Sequence, residues 1–397
     1  MSQQSPLLLN GLSIDEVLDH AAEQVFEAAV ALWPGQQVRL LESVPSVTGY
    51  VRLVEVGDRR LYAKASVLDT SLVSVLRGVH GDLRRVREAQ RAHGARDDRL
   101  PLREAAQLRW LTDLGRPRVC RLVGEHRAVL FTEPVHGPSL AEVLARQPAQ
   151  TAGLLAAVME ELEPLRRQHP ARLGGIGIGE RGISGTFVRK FGGAGRTAYL
   201  RAIGERLCSP ARHRTIGRLL APAVRDLAGH SWRYRALSVL VYGDLKPEHV
   251  LWPDTSGQPV LLDPALRRSS ELEDLARLVG RTLLLAGTQL APHAARRVVD
   301  GVDALVAQRM RPMGRPDVDR WLRDLITLWM MDTLNIVSTY LTAPPGLPLP
   351  AQATAAIDHA VPLAALVQRV AGELAGGSPS PGTWDRALER VREMARP

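Results

Sequence analysis

The chain has 397 residues, 45% of them hydrophobic, which is enough for two lobes with a substantial core and excludes an intrinsically disordered protein. Its net charge of +9 is spread along the sequence without a dense basic run, so no nucleic-acid partner is expected. Cys120 and Cys208 are isolated, the start Met1-Ser-Gln-Gln-Ser-Pro6 lacks the pattern of a secretory signal, and the most apolar run, Leu325 to Leu341, is interrupted by Asp332 and Asn335. A cytoplasmic protein with no membrane span, no disulfide framework and no zinc site is expected.

Ser13-Ile-Asp-Glu16 has the form of a capping box, and apolar residues at helical spacing follow it as far as Leu32, where Pro34-Gly35 ends the helix. From Gln37 the period becomes that of strands: Val38 to Leu41, Tyr50 to Val56, a Gly57-Asp58 turn and Leu61 to Val67. Ser43 to Gly49 reads as the loop between the first two. Residues 68–101 form an insert with two predicted helices, Ser71 to Arg77 and the basic Asp82 to His93. A helix over Leu102 to Gly115 carries Glu104 in its first turn, and strands are expected at Val119 to Val123 and Ala128 to Thr132.

Beyond Glu133-Pro-Val-His-Gly-Pro-Ser-Leu140 the pattern is helical: Leu140 to Gln147, Ala152 to His169, Ala198 to Leu207 and Arg214 to Leu227. Nine glycines between Gly174 and Gly195 predict a mobile loop holding Lys190, which faces either an anionic substrate or solvent. The Gly-x-Gly-x-Gly run inside it does not join a strand to a helix, which argues against a dinucleotide site. Residues 280–397 read as helices broken at Arg311 to Pro316, Ala343 to Gly346 and Gly376 to Pro379. Asp332 and Asn335, polar on an apolar helix, need partners and are either satisfied core groups or substrate-facing groups.

The stretch that organises the chain is Val239 to Trp252. A buried strand, Leu237 to Val241, runs into Gly243-Asp244, and Lys246-Pro247 follows. A short strand from His249 to Trp252, a turn signal at Asp254 to Gly257 and a second strand then deliver Asp263. Two carboxylates 19 positions apart, each at a strand–loop junction and joined by a hairpin, can face one small volume. Phosphoryl transfer needs such a pair: one carboxylate orients and deprotonates an attacking hydroxyl, and the other holds a metal ion on the phosphates. Only three of the 51 basic residues are lysine, namely Lys64, Lys190 and Lys246. In so arginine-rich a chain a retained lysine marks a place where a compact ammonium matters.

Tyr242-Gly-Asp-Leu-Lys-Pro-Glu-His249 and Leu262-Asp-Pro-Ala265 resemble the catalytic and metal-binding loops of the protein-kinase-like phosphotransferases, the aminoglycoside phosphotransferase and fructosamine kinase branch in particular. Arg103-Glu-Ala-Ala-Gln-Leu-Arg-Trp-Leu111 resembles the same branch. The resemblance covers roughly residues 40 to 280 and implies an α+β, bilobal fold. It would have an antiparallel five-stranded N-lobe over residues 1–135 and a mainly helical C-lobe over residues 136–397. ATP and Mg2+ are the implied cofactors. Asp244 would be the catalytic base, Lys246 would touch the moving phosphoryl group, and Lys64, paired with Glu104, would grip the α- and β-phosphates. Ser46, Thr48 and Gly49 would cover the phosphates, the backbone at Glu133 and Val135 would meet the adenine, and Asp274 would buttress the catalytic loop.

The sequence departs from the family pattern at two positions. Tyr242 stands where histidine is usual, and His249 stands in place of the asparagine that helps Asp263 hold metal. An imidazole is a poorer ligand for Mg2+ than for Mn2+, so Mn2+ enters as a second candidate. The implied acceptor is an alcohol hydroxyl on a small molecule or natural product. Two alternatives stay open: a Ser/Thr kinase acting on a natural-product precursor peptide, and a pseudokinase that binds nucleotide or a partner without turnover.

Overall fold

The computed structural model describes residues 12–94, 96, 98–193, 195–229, 239–253 and 257–396. The chain divides into two compact units. The first comprises the described residues of Met1–Ala106, Arg121–Pro134 and Ala343–Pro350, and the second those of Gln107–Cys120, Val135–Thr342 and Ala351–Pro397.

The first unit is built on an antiparallel five-stranded sheet: β1 (Val38–Val44), β2 (Tyr50–Val56), β3 (Arg59–Ala65), β4 (Leu122–His126) and β5 (Val129–Thr132), in spatial order β1-β2-β3-β5-β4. Helix α1 (Ile14–Leu32) begins at the capping box, where the Glu16 carboxylate accepts the Ser13 N–H at 3.2 Å. Its stripe of Ala21, Val25, Ala28 and Ala29 buries against Val54, Leu61, Ala63 and Phe131 of the sheet, which is where the core of this unit lies. Gly35 at φ +83° follows the helix and turns the chain toward β1. Helices α2 (Leu72–Leu76) and α3 (Leu83–His93) occupy the insert, capped by the side chains of Ser71 and Asp82. Helix α4 (Leu100–Leu114) follows and ends at Gly115 with φ +80°.

Two expectations need correction here. β1 does not stop at Leu41: a register shift between Leu40 and Ser43 lets it continue, with Ser43 opposite Arg52 and Val44 opposite Val51. A bulge absorbs the odd residue, so the loop is only Pro45 to Gly49. The fourth strand likewise begins at Leu122, not Val119, because Val119 makes a parallel bridge to Leu261 in the second unit.

The second unit is mainly helical: α5 (Leu140–Arg146), α6 (Thr151–Glu161), α7 (Glu163–Arg166), α8 (Ile183–Phe191), α9 (Arg196–Ala202), α10 (Pro210–Gly229), α11 (Leu272–Gln289), α12 (Pro292–Met310), α13 (Arg315–Leu341), α14 (Ala351–Asp358), α15 (Ala360–Ala375) and α16 (Ser380–Met394). The single helix expected from Ala152 to His169 is two, because Pro164 in the first turn of α7 cannot continue α6. Trp329 of α13 and Trp384 of α16 meet edge to face at 5.7 Å in its core. Gly280 of α11 lies so close to Trp329 that a Cβ there would sit 2.6 Å from the indole ring. Among the described helices none is long and apolar enough to cross a membrane.

The glycine-rich segment from Gly174 also differs from expectation. It contains α8, whose Ile183, Phe187 and Phe191 are buried, and the rings of Phe187 and Phe191 pack at a tilt with centroids 5.2 Å apart. Lys190 on this helix is half-buried and donates to the Asn335 carbonyl and Thr339 Oγ1 on α13, each at 2.5 Å. Glycine count alone hid the i, i+4 aromatic pair that anchors the helix.

Two small ribbons complete this unit. β6 (Val239–Val241) pairs with β9 (Arg267–Ser269), and β7 (Val250–Leu251) pairs with β8 (Val260–Leu261), both antiparallel. Leu237, at the start of the expected strand, and the turn residues Asp254 to Ser256 lie outside the described residues.

Candidate active site

The segment between β6 and β7 carries Asp244, Lys246 and His249, and the turn after β8 carries Asp263. Because β7 and β8 pair with Val250 opposite Leu261, the strand ends next to His249 and Asp263 lie side by side. The His249 carbonyl accepts from Leu262 N at 2.8 Å, and the Tyr242 carbonyl accepts from Ala265 N at 2.9 Å. The Tyr242 hydroxyl, in a fully buried side chain, donates to the Leu262 carbonyl at 3.0 Å. Tyr242 thus ties the two acidic turns together, as a structural contact should. Asp263 holds φ at +54°, a conformation that residues with a Cβ seldom adopt and that concentrates at functional sites.

Asp274, in the first turn of α11, is buried and accepts the N–H groups of Tyr242 and Gly243, each at 2.8 Å. This is the buttress expected of it. Burial pushes its carboxyl up, only partly offset by those two N–H groups. Gly243 has φ +91°, and a Cβ there would lie 2.2 Å from the Ala265 carbonyl oxygen, so glycine is required for the close approach of the two loops.

The four candidate side chains converge. Lys246 Nζ donates to Asp244 Oδ2 at 3.2 Å. His249 Nδ1 lies 3.4 Å from Asp263 Oδ2 and 3.8 Å from Asp244 Oδ2. Asp244, His249 and Asp263 each present a ligand atom within 4.8 Å of the others, close enough to share one cation. Two hard carboxylates and an imidazole fit a divalent ion of the Mg2+ to Mn2+ range, with the imidazole favouring the latter. Burial pushes the Asp244 carboxyl up, yet Lys246, His249, Arg277 and Arg181 outweigh it and hold the group well below the usual carboxylate range.

In the first unit, Lys64 of β3 and Glu104 of α4 form the expected pair at 2.6 Å, with the glutamate buried. Tyr62, two residues earlier and so on the same face of the strand, is exposed. Ser46 Oγ accepts weakly from Thr48 N and Gly49 N, at 3.3 and 3.4 Å. The carbonyls of Val47 and Thr48 accept N–H groups of α2 at 3.3 Å, which docks this loop on the insert. Glu133 donates its N–H to the Arg121 carbonyl and pairs its side chain with Arg121. Val135, half-buried, belongs to the second unit.

Sequence reasoning missed several residues that shape the site. Gln107 accepts from Leu266 N at 2.8 Å and donates to the Ile176 carbonyl at 2.6 Å, fixing the turn beyond Asp263. Arg267 donates to the carbonyls of Ala265 and Gly243 at 3.1 and 3.3 Å and pairs with the buried Glu273 at 2.8 Å. Arg277 donates to Asp244 Oδ1 at 3.1 Å. A signal for Arg277 was present, since it follows Asp274 by three positions and shares its helical face.

No protein-family model matches the sequence, and no curated protein matches it at sequence level. Solved structures do resemble it. A microcompartment-associated aminopropanol kinase aligns over 91% of this chain and 99% of its own at 16% identity, with a TM-score of 0.49. An aminoglycoside-3'-phosphotransferase of type VIII aligns over 79% of this chain and 98% of its own at 20% identity, with a TM-score of 0.46. An ethanolamine kinase of Plasmodium vivax aligns over 81% of each chain at 9% identity, also with a TM-score of 0.46. At such identities the likeness says nothing of substrate, and the chemistry rests on the site's own residues.

Proposed function

We propose that this chain is a phosphotransferase that moves the γ-phosphoryl group of ATP to an alcohol hydroxyl of a small molecule, with Mg2+ or Mn2+ as cofactor. The observation that carries the proposal is the convergence of Asp244, Lys246, His249 and Asp263 on one small volume. Asp263 and His249 would hold the cation, which when bound offsets charge on the phosphate oxygens.

Asp244 orients the acceptor hydroxyl and takes its proton as the oxygen–phosphorus bond forms. The bond from the γ-phosphorus to the leaving oxygen breaks, and ADP departs with that electron pair. A carboxyl held well below its usual range is a weak base. It suits a loose transition state, in which orientation matters more than early deprotonation. The Lys246 ammonium, already bonded to Asp244, neutralises charge on the moving phosphoryl group. Lys64, held by Glu104, is the candidate grip on the α- and β-phosphates, with Ser46, Thr48 and Gly49 as the loop over them and the backbone of Glu133 and Val135 as the adenine contacts.

The cations around Asp244 favour a neutral or anionic acceptor over a polycationic one. Peptide serine or threonine is the second acceptor class, supported by the protein-kinase-like Asp244-Leu-Lys-Pro247 and by the basic α3. The cytoplasm, where ATP is available, is the proposed location.

Calorimetry of ATP binding with Mg2+, with Mn2+ and without metal, on wild type and Asp263→Ala, tests the assignment. Binding should require metal and weaken in the variant. Binding indifferent to both would transfer the weight to a nucleotide- or partner-binding module without turnover.

A further inference from the structure

We propose that Arg277 is a positioning residue for the transfer: it turns Oδ1 of Asp244 into the protein and leaves Oδ2 as the oxygen that meets the acceptor hydroxyl. The inference rests on the assignment of Asp244 as the catalytic base. Arg277 sits on α11 with a side chain only 7% exposed. Its Nη1 donates to the Gly243 carbonyl and to Asp244 Oδ1, the latter at 3.1 Å, and its Nη2 donates to the Arg181 carbonyl at 3.2 Å. The opposite edge of the guanidinium faces α13, with Nε 3.5 Å from Asp332 Oδ1.

Asp332 is itself held by a two-point pair with Arg281, at 2.7 and 3.2 Å. Burial alone would lower the Arg281 pKa, but Asp332 outweighs it and raises the pKa above the usual arginine range. Asp332 is therefore a satisfied core group, buried, paired with Arg281 and 3.5 Å from Nε of Arg277, whose other end reaches the candidate base. A guanidinium is planar and rigid, so hydrogen bonds from both of its terminal nitrogens fix the orientation of the carboxylate it meets.

Stability gives a weak reason for this arrangement. A buried ion network costs desolvation that its attractions roughly offset, and apolar residues of similar volume commonly serve a core as well. Arg277 shares the Gly243 carbonyl with Arg267, and Asp332 with Arg281. Among the described residues, Arg277 is the one that donates to Asp244 Oδ1. The two carboxylate oxygens consequently differ: Oδ1 is committed to Arg277, whereas Oδ2 faces Lys246 and His249 on the side of Asp263.

The test uses the full chain with water as the acceptor. ATP hydrolysis is measured in Mg2+ and in Mn2+ for wild type, Arg277→Met, Arg277→Lys and Asp244→Asn, together with each thermal midpoint. Misorienting a reacting group by about 1 Å costs on the order of 10²-fold, so Arg277→Met should lose about that much in kcat while its KM for ATP stays near wild type. Arg277→Lys, which keeps the charge without the fork, should recover part of the loss. Wild-type kcat in Arg277→Met beside a silent Asp244→Asn would overturn the positioning role and leave the phosphotransferase reading standing. A fall in kcat matched by a lower thermal midpoint and a raised KM would overturn it too, as simple structural damage. Hydrolysis absent from wild type, or undiminished in Asp244→Asn, would defeat the assignment of Asp244 and this inference with it.

Discussion

The Tyr242 to His249 loop of the second unit and the Pro45 to Gly49 loop of the first are built to opposite standards. The Tyr242 to His249 loop is heavily cross-linked: Asp274 takes two of its N–H groups, Arg267 and Arg277 take its Gly243 carbonyl, and Tyr242 bonds the turn of Asp263. The Pro45 to Gly49 loop closes on itself through one serine hydroxyl at 3.3 to 3.4 Å and docks on α2 through two carbonyls. On the proposed function, the Tyr242 to His249 loop carries a group that meets a reacting atom and needs an over-determined position, whereas the Pro45 to Gly49 loop would cover phosphates and need only present N–H groups. Substitutions in the two loops should therefore differ sharply in cost.

The largest effect is expected at Asp244 itself. Asp244→Asn keeps the shape and removes the proposed proton acceptor, so turnover should fall by about 10²- to 10⁴-fold, measured by ADP release under saturating ATP. Retention of most of the turnover would break the comparison at its strongest point. Asp274→Ala should cost stability instead. It strands two buried N–H groups, each worth about 1–3 kcal/mol when unsatisfied, and denaturant unfolding should show a loss of that order. An unchanged midpoint would mean that the buttress is redundant.

A milder effect is expected with pH. Glu273 is buried, which pushes its carboxyl up, but Arg267 and Ser269 outweigh burial and bring its pKa below the usual value. A carboxyl with a depressed folded pKa contributes stability that is present above its unfolded value and is lost as pH falls through the folded one. Asp244 adds in the same direction. Urea midpoints should therefore decline on acidification below the ordinary carboxylate range, and an Arg267→Met variant should flatten that decline. The smallest effect is expected in the loop of the first unit. Ser46→Ala, which removes two long hydrogen bonds at a half-buried position, should change stability by no more than about 0.5 kcal/mol. A loss like that of Asp274→Ala would erase the contrast between the two loops.

Much of the architecture was legible in the residues because its signals are local. The Ser13 box and the Gly115 stop each act within one helical turn, and α1 and α4 occur close to where they were read. The two insert helices follow their caps, Ser71 and Asp82. The bulge in β1 was not legible, since it depends on which residue of β2 each residue of β1 meets. Nor was α8, whose glycines suggested a loop while its buried aromatic residues decide the matter by packing.

In the candidate site, sequence alone determined the acidic turns and their order: Gly243-Asp244, Lys246, His249, and Asp263 after a hairpin. Only tertiary structure decided what surrounds them. Arg277 reaches Asp244 across 33 positions, Arg281 reaches Asp332 across 51, and Gln107 reaches Leu266 across 159. Sequence separation does not name such partners, because a hydrogen bond depends on distance in space. The i, i+3 spacing puts Arg277 on the helical face of Asp274, but only the folded chain brings Asp332 behind it and Asp244 in front.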